Sequence, residues 1–248
     1  MRYNMYKMKI KHNKSFHLKV PRFEVDGFIN QELETYDVFK HLNRHSFTTF
    51  LGTSGSGKTS LMYSFLTNTK PKIWRKQFES IIVVMPTQSR NSLKNNIFDK
   101  YIDADCLFDN LTEETVDLIT EKVEHNAQIG IRTLIILDDV ASQLKNREVV
   151  KKLQHLIYAY RHYRCNILML VQTMKTIPLS IRKNMTNLVV FHRPRLSEWD
   201  AITHEFLEID KPTSKELYNT VFTEKYDWCL INLQTGRIYK KFNEVIYK

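Results

Sequence analysis

The run Gly52-Thr53-Ser54-Gly55-Ser56-Gly57-Lys58-Thr59 constrains this chain more than any other stretch of comparable length. It fits the spacing G-x-x-x-x-G-K-[S/T], in which a glycine-rich turn presents successive backbone N–H groups to a phosphate. An apolar, β-favouring run, Phe47–Leu51, precedes it, and a helical pattern follows from Lys58. A strand feeding such a turn, with a helix aiming its positive dipole end at the same place, predicts a nucleoside triphosphate site. In that reading Lys58 reaches the β and γ phosphates and the Thr59 hydroxyl ligates Mg²⁺. Gly52, Thr53, Ser54, Gly55, Ser56, Gly57 and Ser60 complete the cradle.

The rest of the chain supplies the layers such a loop needs. Short β-branched or apolar runs at 81–85, 134–137, 167–171 and 188–191 alternate with helical patterns from about Lys58, at 113–128 and at 147–163. Strand and helix in regular turn predict an α/β fold with a mainly parallel central sheet and helices on both faces. After Pro194 come two more helical stretches and a hairpin, 228–233 and 237–239, turning at Gln234-Thr235-Gly236. The 248 residues contain only six Gly and six Pro and no composition break. We therefore expect a single domain over 1–248, with a basic N-terminal arm at about 1–22 and a C-terminal extension at about 194–248.

Two strand ends carry polar groups suited to chemistry on a bound phosphate. The run 134–137 stops at Asp138-Asp139. One carboxylate beside a phosphate loop can hold the water shell of Mg²⁺, assigned to Asp138, and the other can orient or deprotonate an attacking water, assigned to Asp139. The run 167–171 stops at Gln172, an amide placed to sense the γ phosphate or that water. Between them a helix carries the apolar stripe Val149, Leu153, Leu156, Ile157 and Tyr160, which is core. Arg161 and Arg164 follow at its exit and project from the domain edge toward a neighbouring subunit's nucleotide; the bland alternative is that they are surface arginines.

Charge and hydropathy narrow the class. Lys and Arg number 37 against 27 Asp and Glu, a net charge of +10 that suits a polyanionic partner. Residues 1–22 hold seven basic residues and no acidic one, and 145–164 hold Lys145, Arg147, Lys151, Lys152, Arg161 and Arg164 against Glu148 alone. Each is a solvated surface or a DNA contact; within the arm, Phe16, Leu18 and Val20 alternate with polar residues as a half-buried strand does. With 42% apolar residues the bulk of the chain is not disordered. Its longest apolar runs are five residues, against about 20 for a bilayer span, so no integral membrane association is expected. The first residues lack the apolar stretch of a secretory signal, which points to an intracellular setting. Cys106, Cys165 and Cys229 fit buried thiols rather than disulfides, and the nine histidines do not fall at metal-ligand spacings.

Taken together, GTSGSGKTS, LIILDDV, YRHYRCNILMLVQT and the run from Pro178 through Arg182 and Asn184 to Phe191 resemble the genome-packaging ATPases of large DNA viruses and virophages. These form the poxvirus-type branch of the FtsK/HerA superfamily of DNA pumps, and the resemblance covers about residues 46–210. It implies a RecA-like P-loop NTPase sheet in which the strand ending at Gln172 lies between the phosphate-loop strand and the Asp138 strand. It implies the sensor role for Gln172, the catalytic carboxylate role for Asp139, and ATP with Mg²⁺ as cofactors. The superfamily more often has Glu where Asp139 stands, while the viral branch resembles this Asp-Asp form. It further implies a hexameric or pentameric ring that drives double-stranded DNA into a capsid, with a capsid component as partner. The setting implied is the cytoplasmic virus factory of an infected cell, and the virion. An arginine finger lent by the next subunit is sought first at Arg161, whose Arg-His pair looks like the family's helix exit, and then at Arg182. Two other classes stay open on residues alone: a P-loop kinase acting on a small acceptor, and a non-catalytic nucleotide-binding DNA- or capsid-associated protein.

Overall fold

The computed structural model describes residues 42, 44–70, 72–91, 97–192 and 194–246. The chain divides into two units, Met1–Tyr36 and Asp37–Lys248. The first unit, and with it the basic arm and its alternating segment, lies outside the described residues.

In chain order the second unit runs β1 Phe47–Leu51, α1 Lys58–Thr67, β2 Ser80–Val84, α2 Thr87–Asn91, α3 Ile97–Tyr101, β3 Leu107–Phe108, α4 Glu113–Gln128, β4 Thr133–Asp138 and α5 Arg147–Ala159. It continues β5 Cys165–Val171, α6 Leu179–Arg182, β6 Asn187–Phe191, α7 Leu196–Leu207, α8 Lys211–Val221, β7 Trp228–Asn232, β8 Ile238–Lys240 and β9 Asn243–Val245. The nine strands of the described residues join one sheet in the order β3-β2-β4-β5-β1-β6-β7-β8-β9. The strands from β3 to β6 are parallel, and β7, β8 and β9 add an antiparallel edge.

Burial explains why the central strands read as continuous apolar runs rather than alternating ones. Every residue of β1, β5 and β6 is buried, because helices cover both faces of a parallel sheet. Side chains of one parity, among them Phe47, Ile135, Ile167 and Leu188, share a core with Val116 and Val123 of α4, Leu153 and Ile157 of α5, Trp199 of α7 and Leu217 of α8. On the opposite face Phe50 meets Phe65 of α1 edge-on at 5.6 Å, and Phe65 meets Trp74 at 5.0 Å. Helix starts follow local chemistry. Thr112 caps α4 by accepting from Thr115 N–H, Asn146 caps α5 by accepting from Glu148 and Val149 N–H, and Asp210 caps α8 by accepting from Thr213 N–H.

Where the structure departs from the expected elements, backbone geometry gives the reason. The helix expected over 147–163 ends at Ala159: Cys165 N–H bonds back to the Tyr160 carbonyl at 3.0 Å, and Arg164 takes a left-handed φ of 52°, so the chain reverses early into β5. The polar stretch after β2 folds into α2, α3 and the two-residue β3, elements too short to leave a periodic signal. The expected hairpin is present, but it continues into β9 and pairs through β7 with β6. Thus the C-terminal extension is part of the main sheet.

Candidate active site

Three parallel strands deliver the candidate residues to one edge of the sheet. Leu51 is paired with Val171 and Asp138 with Leu170, so the phosphate loop, Asp138-Asp139 and Gln172 all begin within two residues of a common level. The strand carrying Gln172, β5, lies between β1 and β4, as the family resemblance implies. Gly52 N–H donates to the Val171 carbonyl at 3.1 Å, pinning the loop's first turn to the neighbouring strand end.

Two glycines are required by that geometry. A Cβ on Gly52 would meet Ser56 Oγ at 2.6 Å and Phe191 Cβ at 2.8 Å, inside any tolerated contact. Gly57 stands at the start of α1 with φ of 102°, a conformation that side-chain-bearing residues avoid. The Lys58 ammonium curls back to donate to the carbonyls of Gly52 at 2.6 Å and Thr53 at 3.0 Å. Burial pulls its pKa down, opposed by the negative charge of Asp138 and Asp139. Ser56 Oγ is buried and has no hydrogen-bond partner among the described residues.

Asp138 is only partly exposed, and burial pushes its carboxyl up to about 6; Lys58 opposes that rise and Asp139 adds to it. This is a carboxylate with too little positive charge around it, which a cation beside Thr59 would supply. No cluster of three or more His, Cys, Asp or Glu among the described residues could hold a metal without further ligands. The residues therefore suit a cation held jointly with phosphate oxygens. Asp139 is exposed and takes a left-handed φ of 57°, strained for most side chains and more readily tolerated by Asp. Gln172 is exposed at the β5 tip. The loop after it is fixed, because Met174 N–H donates to Glu198 of α7 at 3.0 Å.

A cavity of about 920 Å³ spans these groups. Its lining includes Ser54 through Ser60, Asp138, Asp139 and Gln172, and it extends to Phe191, Tyr226 and Trp228 at the antiparallel edge. Phe191 closes the motif run that begins at Pro178, but Tyr226 and Trp228 come from a region that carries no motif, so no local pattern marks them. The arginines are not brought to this cavity. Arg161 and Arg164 precede β5 and so stand at the opposite end of the sheet from Gln172, about 20 Å away at the usual strand rise. Arg161 donates to the Tyr160 hydroxyl at 3.1 Å, and Arg182 pairs with Glu205 at 2.6 Å.

Fold and site together define a RecA-like P-loop nucleoside triphosphatase. The Poxvirus A32 protein family matches residues 35–206, most of the chain, and the chain belongs to that family. Among solved structures, it is similar to B204, the DNA-packaging ATPase of Sulfolobus turreted icosahedral virus, with 14% identity over 79% of this chain and 97% of that one and a TM-score of 0.61. The genome packaging NTPase B204 of Sulfolobus turreted icosahedral virus 2, in complex with ATP-gammaS, gives 14% identity over 79% and 96% with a TM-score of 0.59. The pCW3 conjugation coupling protein TcpA gives 13% identity over 82% of this chain and 60% of that one, with a TM-score of 0.55. No curated protein matches the chain in sequence. No helix among the described residues is long and apolar enough to cross a membrane.

Proposed function

We propose that this chain is an ATP-hydrolysing motor that translocates double-stranded DNA into a viral capsid. The observation that carries the reading is the convergence of the phosphate loop, Asp138, Asp139 and Gln172 on one cavity from three adjacent strands. Family membership and the resemblance to B204, a DNA-packaging ATPase by name, support the direction of that chemistry.

The loop's N–H groups and the α1 dipole bind the phosphates, and Lys58 exchanges its two carbonyl partners for the β and γ phosphate oxygens. Thr59 and Asp138 would hold Mg²⁺, which would supply positive charge against the charge of the phosphates. Asp139 accepts a proton from the attacking water, and Gln172 orients that water by hydrogen bonding. Beyond Lys58, no described Lys or Arg lines the cavity to add a second side-chain cation at the γ phosphate, and the motor is assigned as a homo-oligomeric ring, hexamer or pentamer, with an arginine lent across the interface. Arg161 is the first candidate, because its hydrogen bond is to a neutral phenol, whereas Arg182 is already committed to Glu205. The arm over 1–22 and the exposed Lys145, Arg147, Lys151 and Arg164 are assigned to the polyanionic DNA. Lys152 is held by Asp117 of α4 and is left out. The setting that follows is the infected cell's virus factory, with a capsid component as docking partner.

ATP turnover by the purified protein with and without duplex DNA tests the reading. Wild type should be stimulated by DNA, and Lys58→Ala should lose turnover by at least about 10²-fold, the scale for removing one electrostatic contact to a developing charge. Turnover that requires a small phosphoryl acceptor instead would make it a kinase, and binding without turnover would make it a structural protein. Mixing Lys58→Ala with Arg161→Ala subunits should restore part of the activity if Arg161 acts in trans.

A further inference from the structure

The cavity reaches well past the strand tips that carry the phosphate chemistry. With strands about 4.8 Å apart, the tip of β7 lies about 14 Å from the tip of β5, across β1 and β6. Trp228 at the start of β7 is paired with Phe191 at the end of β6, so the turn before β7 stands on the same sheet edge as the phosphate loop. Of the three rings that line this end, Phe191 and Trp228 are buried while Tyr226 is 54% exposed. Tyr226 also sits over the loop itself, since a Cβ built on Gly57 would lie 3.6 Å from Tyr226 Cδ1.

The ring is not there by loose packing. Tyr226 adopts a left-handed φ of 67°, unusual for an aromatic residue, and the next residue anchors the turn. Asp227 is fully buried and accepts from Thr223 N–H at 3.1 Å, Glu224 N–H at 2.8 Å and the Thr223 hydroxyl at 3.2 Å. Its carboxylate also pairs with Lys240 at 3.2 Å and Lys241 at 3.1 Å from the β8 end. With the backbone of the turn fixed and the Lys225 ammonium 4.9 Å over the centroid of the Tyr226 ring, the ring has less conformational entropy to lose on binding a flat partner.

We propose that Tyr226 is the platform on which the nucleobase of the bound triphosphate stacks, and that the site selects purines by ring area rather than by reading the base edge. The inference rests on the nucleotide reading above. Among the described lining residues the only side-chain amide or carboxylates are Gln172, Asp138 and Asp139, on strands on the other side of β1. Of the lining serines in the loop and α1, Ser64 donates to the Ser60 carbonyl at 3.0 Å, and the Ser56 hydroxyl is buried against Gly52 inside the phosphate loop. Stacking on an aromatic ring tolerates any base but gains with the stacked area, so ATP and GTP should bind alike and CTP and UTP less well.

Binding of ATP, GTP, CTP and inorganic tripolyphosphate in Mg²⁺ buffer separates the two readings. Wild type should bind ATP and GTP within about threefold of each other and CTP more weakly. Tyr226→Ala should weaken ATP binding by about tenfold or more, the scale for loss of one base stack, and leave tripolyphosphate affinity unchanged. Tyr226→Phe keeps the ring and should bind ATP as wild type does. A cooperative thermal melt near the wild-type temperature checks that Tyr226→Ala has folded. Unchanged ATP affinity in Tyr226→Ala, or equal loss of ATP and tripolyphosphate, would overturn the platform, and strong discrimination between ATP and GTP would overturn selection by area. If wild type binds neither ATP nor tripolyphosphate, the phosphate-loop reading fails and the platform falls with it.

Discussion

Asp138 lines the cavity, Asp227 lies buried between two residues that line its other end, Tyr226 and Trp228, and their surroundings treat the two carboxyls in opposite ways. Burial pushes the Asp138 carboxyl up to about 6, with Lys58 as its one nearby cation and that ammonium spent on loop carbonyls. Burial works against Asp227 as well, but the Glu224 N–H and the ammonium groups of Lys241 and Lys240 outweigh it and hold the carboxyl well below the usual carboxylate range. Burial alone therefore does not decide which form a carboxylate takes; the partners do. The Asp227 site is complete within the chain. The Asp138 site lacks positive charge, as a site should that is finished by a metal–nucleotide complex.

Substitutions at the phosphate end should separate binding from chemistry. Asn tolerates the left-handed backbone that Asp139 occupies, so Asp139→Asn keeps the turn and removes only the proton acceptor. We expect ATP affinity within about twofold of wild type and hydrolysis lower by about 10²- to 10⁴-fold, measured by equilibrium binding and single turnover. Collapse of Mg²⁺-dependent binding in this variant would exchange the roles of Asp138 and Asp139.

Asp138→Asn should sharpen the comparison through stability. A carboxyl whose folded pKa is raised contributes stability that is fully present below its unfolded value near 3.8 and is lost as pH rises through about 6. Nucleotide-free wild type should therefore weaken between about pH 4 and 6, by up to about 3 kcal/mol for a shift of this size. Asp138→Asn cannot ionise, so its melting temperature should exceed wild type at pH 8 by about 5–10 °C and match it at pH 4. Gaining stability while losing Mg²⁺-dependent nucleotide binding is the signature of a group strained for function. Equal melting curves at pH 8 would remove that strain.

The phosphate end was legible because its geometry is local. A loop of eight residues carries its own turn, helix start and lysine, and Asp138 and Gln172 each terminate an apolar run that parallel-sheet burial makes conspicuous. The element order of the α/β core followed from the same alternation, with α4 placed at 113–128 as expected. The other end was not legible, because it is assembled across distance. Tyr226 reaches the loop only because β7 pairs antiparallel with β6, and Asp227 meets Lys240 and Lys241 only because β8 folds back on β7. No periodicity in the turn 223–227 signals either event. For the arginines, spacing gave candidates, and the fold places Arg161 at the far end of the sheet and Arg182 in an ion pair with Glu205.

The smallest expected effect lies at the Asp227 turn, where the two ends can be told apart by pH alone. A carboxyl whose folded pKa is depressed contributes stability above its unfolded value near 3.8, and that stability is lost as pH falls through the folded value. Its loss thus lies below about pH 4, under the window in which Asp138 acts and with the opposite slope. Asp227→Asn keeps one oxygen for the Thr223 and Glu224 N–H groups but presents an NH₂ to Lys241, so we expect a loss of about 1–3 kcal/mol at pH 7 by denaturant unfolding. Wild type should lose stability steeply from pH 4 to pH 2, and the variant should be flatter there. Because the turn carries Tyr226, ATP affinity should fall while tripolyphosphate affinity does not. A variant that loses both ligands equally would show that the turn supports the phosphate loop through Gly57 rather than the base, and the two ends would then be one mechanical unit.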